Sequence, residues 1–129
     1  MKNFKDKRVL VTGGAGFIGS ELVKQLAQEG AVITVLDNFS SGKKHYLPKY
    51  KKLKIVKGDI VNKNLVAKTV KDQEVIFNLA ALPFIPDSYY YPVTFFQVNT
   101  IGTMNALWSA IKSKSVEMFV QISTSEVYG

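Results

Sequence analysis

The stretch VTGGAGFIGS, residues 11–20, decides how the rest of the chain is read. It sets Gly13, Gly16 and Gly19 at three-residue intervals, after the β-branched run RVLVTG (8–13) and before a segment of helical spacing. A glycine trio by itself marks any tight turn. Between a strand and a helix each glycine has its own task. Gly13 permits the turn, Gly16 lets a diphosphate approach the backbone, and Gly19 lets the helix pack closely on the sheet. The helix amino terminus then offers unpaired N–H groups and a partial positive charge to phosphates. In FIGSELVKQLAQEG, Ile18, Leu22 and Leu26 recur at helical spacing, and Gly30 is the C-terminal stop.

AVITVLDN (31–38) is a second strand, closed by an acid and a turn-former. Asp37 lies 18 residues past Gly19. There a carboxylate accepts hydrogen bonds from an adenosine ribose, and its charge opposes a 2′-phosphate, which favours NAD over NADP. LKIVKGD (53–59) is a third strand, with Asp59 and Ile60 placed to reach the adenine edge. NKNLVAKTVKD (62–72) carries Leu65, Val66, Thr69 and Val70 on one helical face, and EVIFNLAA (74–81) is a fourth strand. Along residues 93–113, Phe96, Ile101, Met104, Leu107, Trp108 and Ile111 share a broad apolar face, on which Trp108 and the methionines read as core. Tyr89, Tyr90 and Tyr91 read as a half-buried aromatic cluster ahead of that helix. VEMFVQIST (116–124) is the fifth strand. Strands this apolar are covered on both sides. The order predicts an α/β, doubly wound, Rossmann-type parallel sheet with helices on both faces, one domain over residues 1–129.

Composition narrows the function. No apolar run approaches the ~18 residues of a membrane span. The amino terminus MKNFKDKRVLVTGG lacks the apolar region and cleavage site of a secretory signal. With no cysteine and His45 as the one histidine, no metal site is expected, and the cysteine usage suits the cytoplasm. The net charge of +7 is almost all lysine, against a single arginine, Arg8. Seven lysines crowd into KKHYLPKYKKLKIVK (43–57). Without the bidentate fork of arginine this run reads as a solvated loop, so neither a nucleic-acid nor a membrane partner is expected.

Six segments in order resemble the extended short-chain dehydrogenase/reductases that act on nucleotide sugars, the NAD-dependent epimerases and dehydratases. TGGAGFIGS is similar to the family's TGxxGxxG turn, LDNFSSG to its ribose segment, and GDI to its adenine contact. NLAAL is similar to the fourth-strand segment lying against the cofactor, NTIGT to the segment whose asparagine supports the site, and STSEVYG to the strand end with the catalytic hydroxyl. The resemblance covers essentially the whole chain. It implies NAD held by Gly13, Gly16, Phe17, Ile18, Gly19, Asp37, Asn38, Ser40, Ser41, Gly42, Asp59, Ile60, Leu79, Ala80, Ala81, Asn99 and Ser123. It also implies a nucleotide-sugar substrate and a homodimeric parent enzyme.

By the same resemblance Thr124 is the catalytic hydroxyl, hydrogen-bonded to the sugar 4-hydroxyl. Family members oxidise C4 transiently. A 4,6-dehydratase then needs a further carboxylate to take the C5 proton, and Glu126 is similar to the glutamate serving that role. The resemblance therefore implies a sugar-nucleotide 4,6-dehydratase, with a UDP-sugar 4-epimerase or UDP-sugar-acid decarboxylase as alternatives. A non-catalytic NAD-binding or partner-binding module is the alternative of another class. The family's Tyr-x-x-x-Lys proton acceptor has no counterpart after Thr124; Tyr50 and Lys54 have that spacing, but on the adenosine side of the chain. The expectation is an amino-terminal portion without a substrate lobe, truncated after the fifth strand. It would be inactive alone and weak in NAD binding, and its open fifth-strand edge would favour self-association.

Overall fold

The computed structural model of the chain describes residues 4–128, Glu126 by its backbone only. Five strands form one sheet: β1 (Arg8–Thr12), β2 (Val32–Asp37), β3 (Leu53–Lys57), β4 (Val75–Asn78) and β5 (Met118–Gln121). All pair in parallel, in the order β3-β2-β1-β4-β5. Val9 stands between Ile33 on one side and Val75 on the other, so β1 is the central strand. β-Branched runs pack well on a pleated surface, and alternation sends successive side chains to opposite faces. Val9, Val11, Ile33, Val35 and Val75 build one core layer. Leu10, Leu36 and Ile76 build the other.

Helix α1 (Phe17–Gln28) covers the first layer with Val23 and Leu26. Its buried face is Gly19, Ser20, Val23 and Leu26. Ile18, which shares helical spacing with Leu22 and Leu26, is exposed. The close approach at Gly19 rotates the helix toward its small side. Glu29 caps the helix and Gly30 follows at φ +81°, the left-handed stop expected there.

The second layer lies under α2 (Lys63–Val70) and α5 (Thr103–Lys112). Asn62 caps α2, its side chain accepting from the Leu65 N–H at 3.1 Å. Val66, Thr69 and Val70 are buried as their spacing predicts.

The long helical stretch departs from expectation in two ways. Preceded by a short α3 (Ile85–Tyr90), it is broken into α4 (Pro92–Phe96), a π-helical segment (Gln97–Gly102) and α5. Its packed face is also the opposite one: Gly102, Ala106 and Ala110 are buried, while Phe96, Ile101, Met104, Leu107, Trp108 and Ile111 are exposed. Small residues let the helix approach the sheet until Gly102 rests against Ile60. The wide π turn then puts positions before and after it out of step with a 3.6-residue repeat. Trp108 is 48% exposed with Lys112 Nζ 5.0 Å from its ring centroid, so neither it nor Met104 is core. Tyr89, Tyr90 and Tyr91 are not half-buried either; Tyr89 is 82% exposed. Among the described residues no helix is long and apolar enough to cross a membrane.

Candidate cofactor site

The strand order reverses between β1 and β4, and ligands of open α/β sheets bind outside the carboxyl ends of the strands at such a point. The loops that gather there are those the sequence nominates. At the end of β1, Gly13 takes φ +66°, and its N–H donates to the Leu36 carbonyl at 2.9 Å. A Cβ on Gly13 would stand 2.8 Å from the Ala80 nitrogen and 2.9 Å from the Ala80 Cα. A Cβ on Gly19 would run into the Gly13 carbonyl oxygen. Gly16 caps α1 in extended conformation, with no capping side chain and no acid in the first turn. The first-turn N–H groups and the positive dipole end therefore remain available to an anion. Phe17 is 91% exposed and Ile18 is exposed too, so what these two positions offer an anion is backbone. Their side chains instead flank a surface groove of about 600 Å³ shared with Leu22 and Tyr46.

Asp37, at the end of β2, is buried and does more than present an acid. Its Oδ2 accepts from the Ala15 N–H at 2.9 Å and its Oδ1 from the Phe39 N–H at 2.8 Å. The carboxylate thus clasps the glycine turn to the following loop and holds Phe39 at φ +60°. Each oxygen keeps a second lone pair, so hydroxyl donors still find acceptors there. Beyond it the Asn38 Oδ1 accepts from the Ser40 N–H at 2.9 Å, and the Asn38 Nδ2 donates to the Asp59 Oδ2 at 2.9 Å. Ser40 and Ser41 are exposed, and Gly42 packs on Ala15 beside the Lys43 N–H to Ala15 carbonyl bond of 3.0 Å. The Asp59 Oδ1 accepts from the Val61 N–H. Ile60 is buried, and its carbonyl accepts from the Asn105 Nδ2 at 3.1 Å.

β4 stops at Asn78, earlier than expected; Leu79 and Ala80 leave the sheet as a wall beside the glycine turn, and Ala81 follows them, exposed. Asn99, on the π-helical segment, binds the end of that wall reciprocally. Its Oδ1 accepts from the Leu82 N–H at 2.8 Å, and its Nδ2 donates to the Leu82 carbonyl at 3.1 Å. β5 likewise ends early, leaving Ser123 and Thr124 exposed in the loop that follows. Glu126 falls in a 3-10 turn, Ser125–Tyr128, and its side chain lies outside the described residues.

Sequence reasoning missed a buried polar chain at the base of this wall. Thr12 and Asn78 are completely buried. The Thr12 hydroxyl donates to the Asn78 Oδ1 at 2.6 Å and accepts from the Leu79 and Ala80 N–H groups at 3.2 Å. The Asn78 Nδ2 donates to the Gln121 Oε1 at 2.8 Å and the Thr103 hydroxyl at 3.3 Å. The one available signal was a polar residue closing each of three apolar strands.

The opposite, amino-terminal ends of the strands carry ion pairs instead. Lys7 Nζ lies 2.9 Å from Glu74 and 3.0 Å from Glu117. The hydrogen bond from Lys7, then that from the Arg8 N–H, holds the Glu74 carboxyl below the usual range. Its bonds to Glu74 and Glu117 raise the Lys7 ammonium in turn.

A parallel doubly wound sheet with a tight glycine turn, an open helix amino terminus and an acid ending β2 defines a Rossmann-type dinucleotide-binding protein. The residues fit such a group: a side chain at Gly13 or Gly19 would fill the cradle, and no acid opposes a diphosphate in the first turn of α1. The chain belongs to the NAD dependent epimerase/dehydratase family, whose pattern matches residues 9–129, and the cofactor is NAD. It is 39% identical to a UDP-N-acetyl-alpha-D-glucosaminuronate decarboxylase of Bacillus cytotoxicus, over 95% of this chain and 38% of that one. The UDP-N-acetylglucosamine 4-epimerase of Methanobrevibacter ruminantium, solved with UDP-N-acetylmuramic acid, superposes with a TM-score of 0.90 at 36% identity. That match covers 97% of this chain and 40% of the epimerase. WbmF of Bordetella bronchiseptica, solved with NAD+, superposes at 0.89 with 27% identity, over 97% of this chain and 38% of that one. The chain therefore spans well under half the length of these proteins.

Proposed function

We propose that this chain is the NAD-binding portion of an enzyme that modifies a UDP-sugar through transient oxidation at C4. The observation that carries the reading is the clasp of Asp37 on the glycine turn at the strand-order reversal. Bound NAD would supply a hydride acceptor that later returns the hydride. The first-turn N–H groups of α1 and the backbone at Gly13 and Gly16 would face the diphosphate. Asp37, Asn38, Ser40, Ser41, Gly42, Asp59 and Ile60 would hold the adenosine half. Leu79, Ala80, Ala81, Asn99 and Ser123 would line the remainder. Thr124 would orient the sugar by its 4-hydroxyl.

The similarity to a decarboxylase and to 4-epimerases turns the proposal from 4,6-dehydration toward 4-epimerisation or decarboxylation. Both need only the shared C4 oxidation at this portion of the enzyme. In a decarboxylase the C4 ketone weakens the bond to the neighbouring carboxylate. A homodimer is proposed too, formed through the exposed row Phe96, Met104, Leu107, Trp108 and Ile111.

Two measurements test this. Calorimetric titration is expected to show NAD bound more tightly than NADP, a preference that Asp37→Ala removes; equal affinities in the wild type would defeat the cofactor assignment. Incubation of the intact gene product with UDP-glucose, UDP-N-acetylglucosamine and UDP-glucuronate is expected to yield a 4-epimer or carbon dioxide. A 4-keto-6-deoxy product would return the assignment to dehydration.

A further inference from the structure

We propose that Asn78 is a positioning residue that couples the wall beside the glycine turn to the strand end bearing Thr124, an inference that rests on the cofactor site proposed above. The argument is one of hydrogen-bond polarity. The Leu79 and Ala80 N–H groups can only donate, and both meet the Thr12 hydroxyl oxygen at 3.2 Å, the Leu79 N–H being shared with the Thr12 carbonyl at the same distance. With both lone pairs of that oxygen taken, its single proton goes to the Asn78 Oδ1, 2.6 Å away. The Asn78 amide is therefore turned with its nitrogen toward β5, where it donates to the Gln121 Oε1 at 2.8 Å. The Gln121 Nε2 then donates to the Ile122 carbonyl at 2.9 Å, a group that can only accept. Main-chain groups thus fix the direction of the whole chain at both ends.

The ends are the parts that matter. Leu79 and Ala80 form the surface against which Gly13 turns. Ile122 leads into Ser123 and Thr124, and its own N–H donates to the Asn78 carbonyl at 3.1 Å. One fully buried side chain therefore sets the spacing between the cofactor turn and the hydroxyl that meets the sugar. The remaining Asn78 proton reaches the Thr103 hydroxyl, which ties the same point to the start of α5.

Asn78→Leu keeps the approximate shape and removes the polarity. The expected result in this chain, followed by amide hydrogen exchange in NMR spectra, is about tenfold faster exchange at Leu79 and Ala80, the cost of one lost hydrogen bond. Chemical-shift changes should extend to Ser123 and Thr124 while β2 and β3 stay as in the wild type. NAD affinity should fall by about the same factor, with AMP affinity unchanged. Unaltered exchange at Leu79 and Ala80 would overturn the proposal, as would equal weakening of NAD and AMP. Should Asn78→Leu fail to fold, Gln121→Leu, at an exposed position, is expected to give the same pattern from the far end of the chain. Its failure to perturb Leu79 and Ala80 would equally overturn it. A wild type that binds NAD no better than AMP defeats the cofactor assignment at the nicotinamide end, and the exchange rates then judge the coupling by themselves.

Discussion

Gly13 is the residue at which conformation and contact make the same demand. A left-handed backbone and a wall 2.8 Å from any added Cβ both exclude a side chain. Gly13→Ala is expected to destabilise the fold by about 2 kcal/mol, read from urea denaturation, and to abolish NAD binding. Asp37 answers to two main-chain donors at once. Asp37→Asn turns an amide N–H₂ toward one of them, and the donor left without an acceptor is expected to cost about 1–3 kcal/mol in the same measurement. Both residues were legible in the sequence because their signals are local: glycine spacing, and an acid closing a strand. Thr12 and Asn78 were not, because what defines them is a partner far away, 66 residues apart in the chain. A lone polar residue in an apolar run does not say whom it meets.

Among elements, α5 separates what periodicity tells from what packing decides. The spacing correctly gave a helix with one apolar face, yet the sheet took the other, small-residue face. Ala106→Leu is expected to cost about 1–3 kcal/mol by overpacking a fully closed site. Ile111→Ser, on the large apolar face, is expected to stay within about 0.5 kcal/mol at protein concentrations low enough to keep the chain monomeric. Denaturation midpoints of the two variants check the assignment of faces. The five strands were all legible, although β4 and β5 end earlier than their apolar runs, since residues past Asn78 and Gln121 turn toward the cleft. At the amino-terminal ends of the strands, Glu74 carries a pH prediction. Its carboxyl is held low in the folded chain, so its contribution is present above the ordinary value of about 4.3 and fades as pH falls through the lower folded value. Glu74→Gln should therefore lower Tm at pH 7, and the gap should close in strongly acidic buffer.

For the whole molecule, the apolar row on α4 and α5 is a face left open to solvent. A double substitution, Trp108→Glu with Ile111→Lys, is expected to shift sedimentation toward monomer while leaving the far-UV circular dichroism spectrum unchanged. Retained dimer would remove this face from the proposed interface. The two sheet edges also differ. β3 carries exposed Lys54 and Lys57, which discourage strand addition, whereas β5 carries no charge. The lysine run that the sequence offers as a solvated loop thus continues into edge protection. Finally, the central place of β1 has a consequence for the order of assembly on the ribosome. β1, β2 and β3 become available within the first 57 residues, but the second neighbour of β1 begins only at Val75. Leu79 is synthesised 67 residues after Thr12, whose hydroxyl receives its N–H. Since chains form their amino-terminal parts first, the glycine turn must wait, half-supported, for the wall that fixes it. Until β4 emerges, the nascent chain holds a sheet with its future central strand as an open border, the interval in which a chaperone has most to shield.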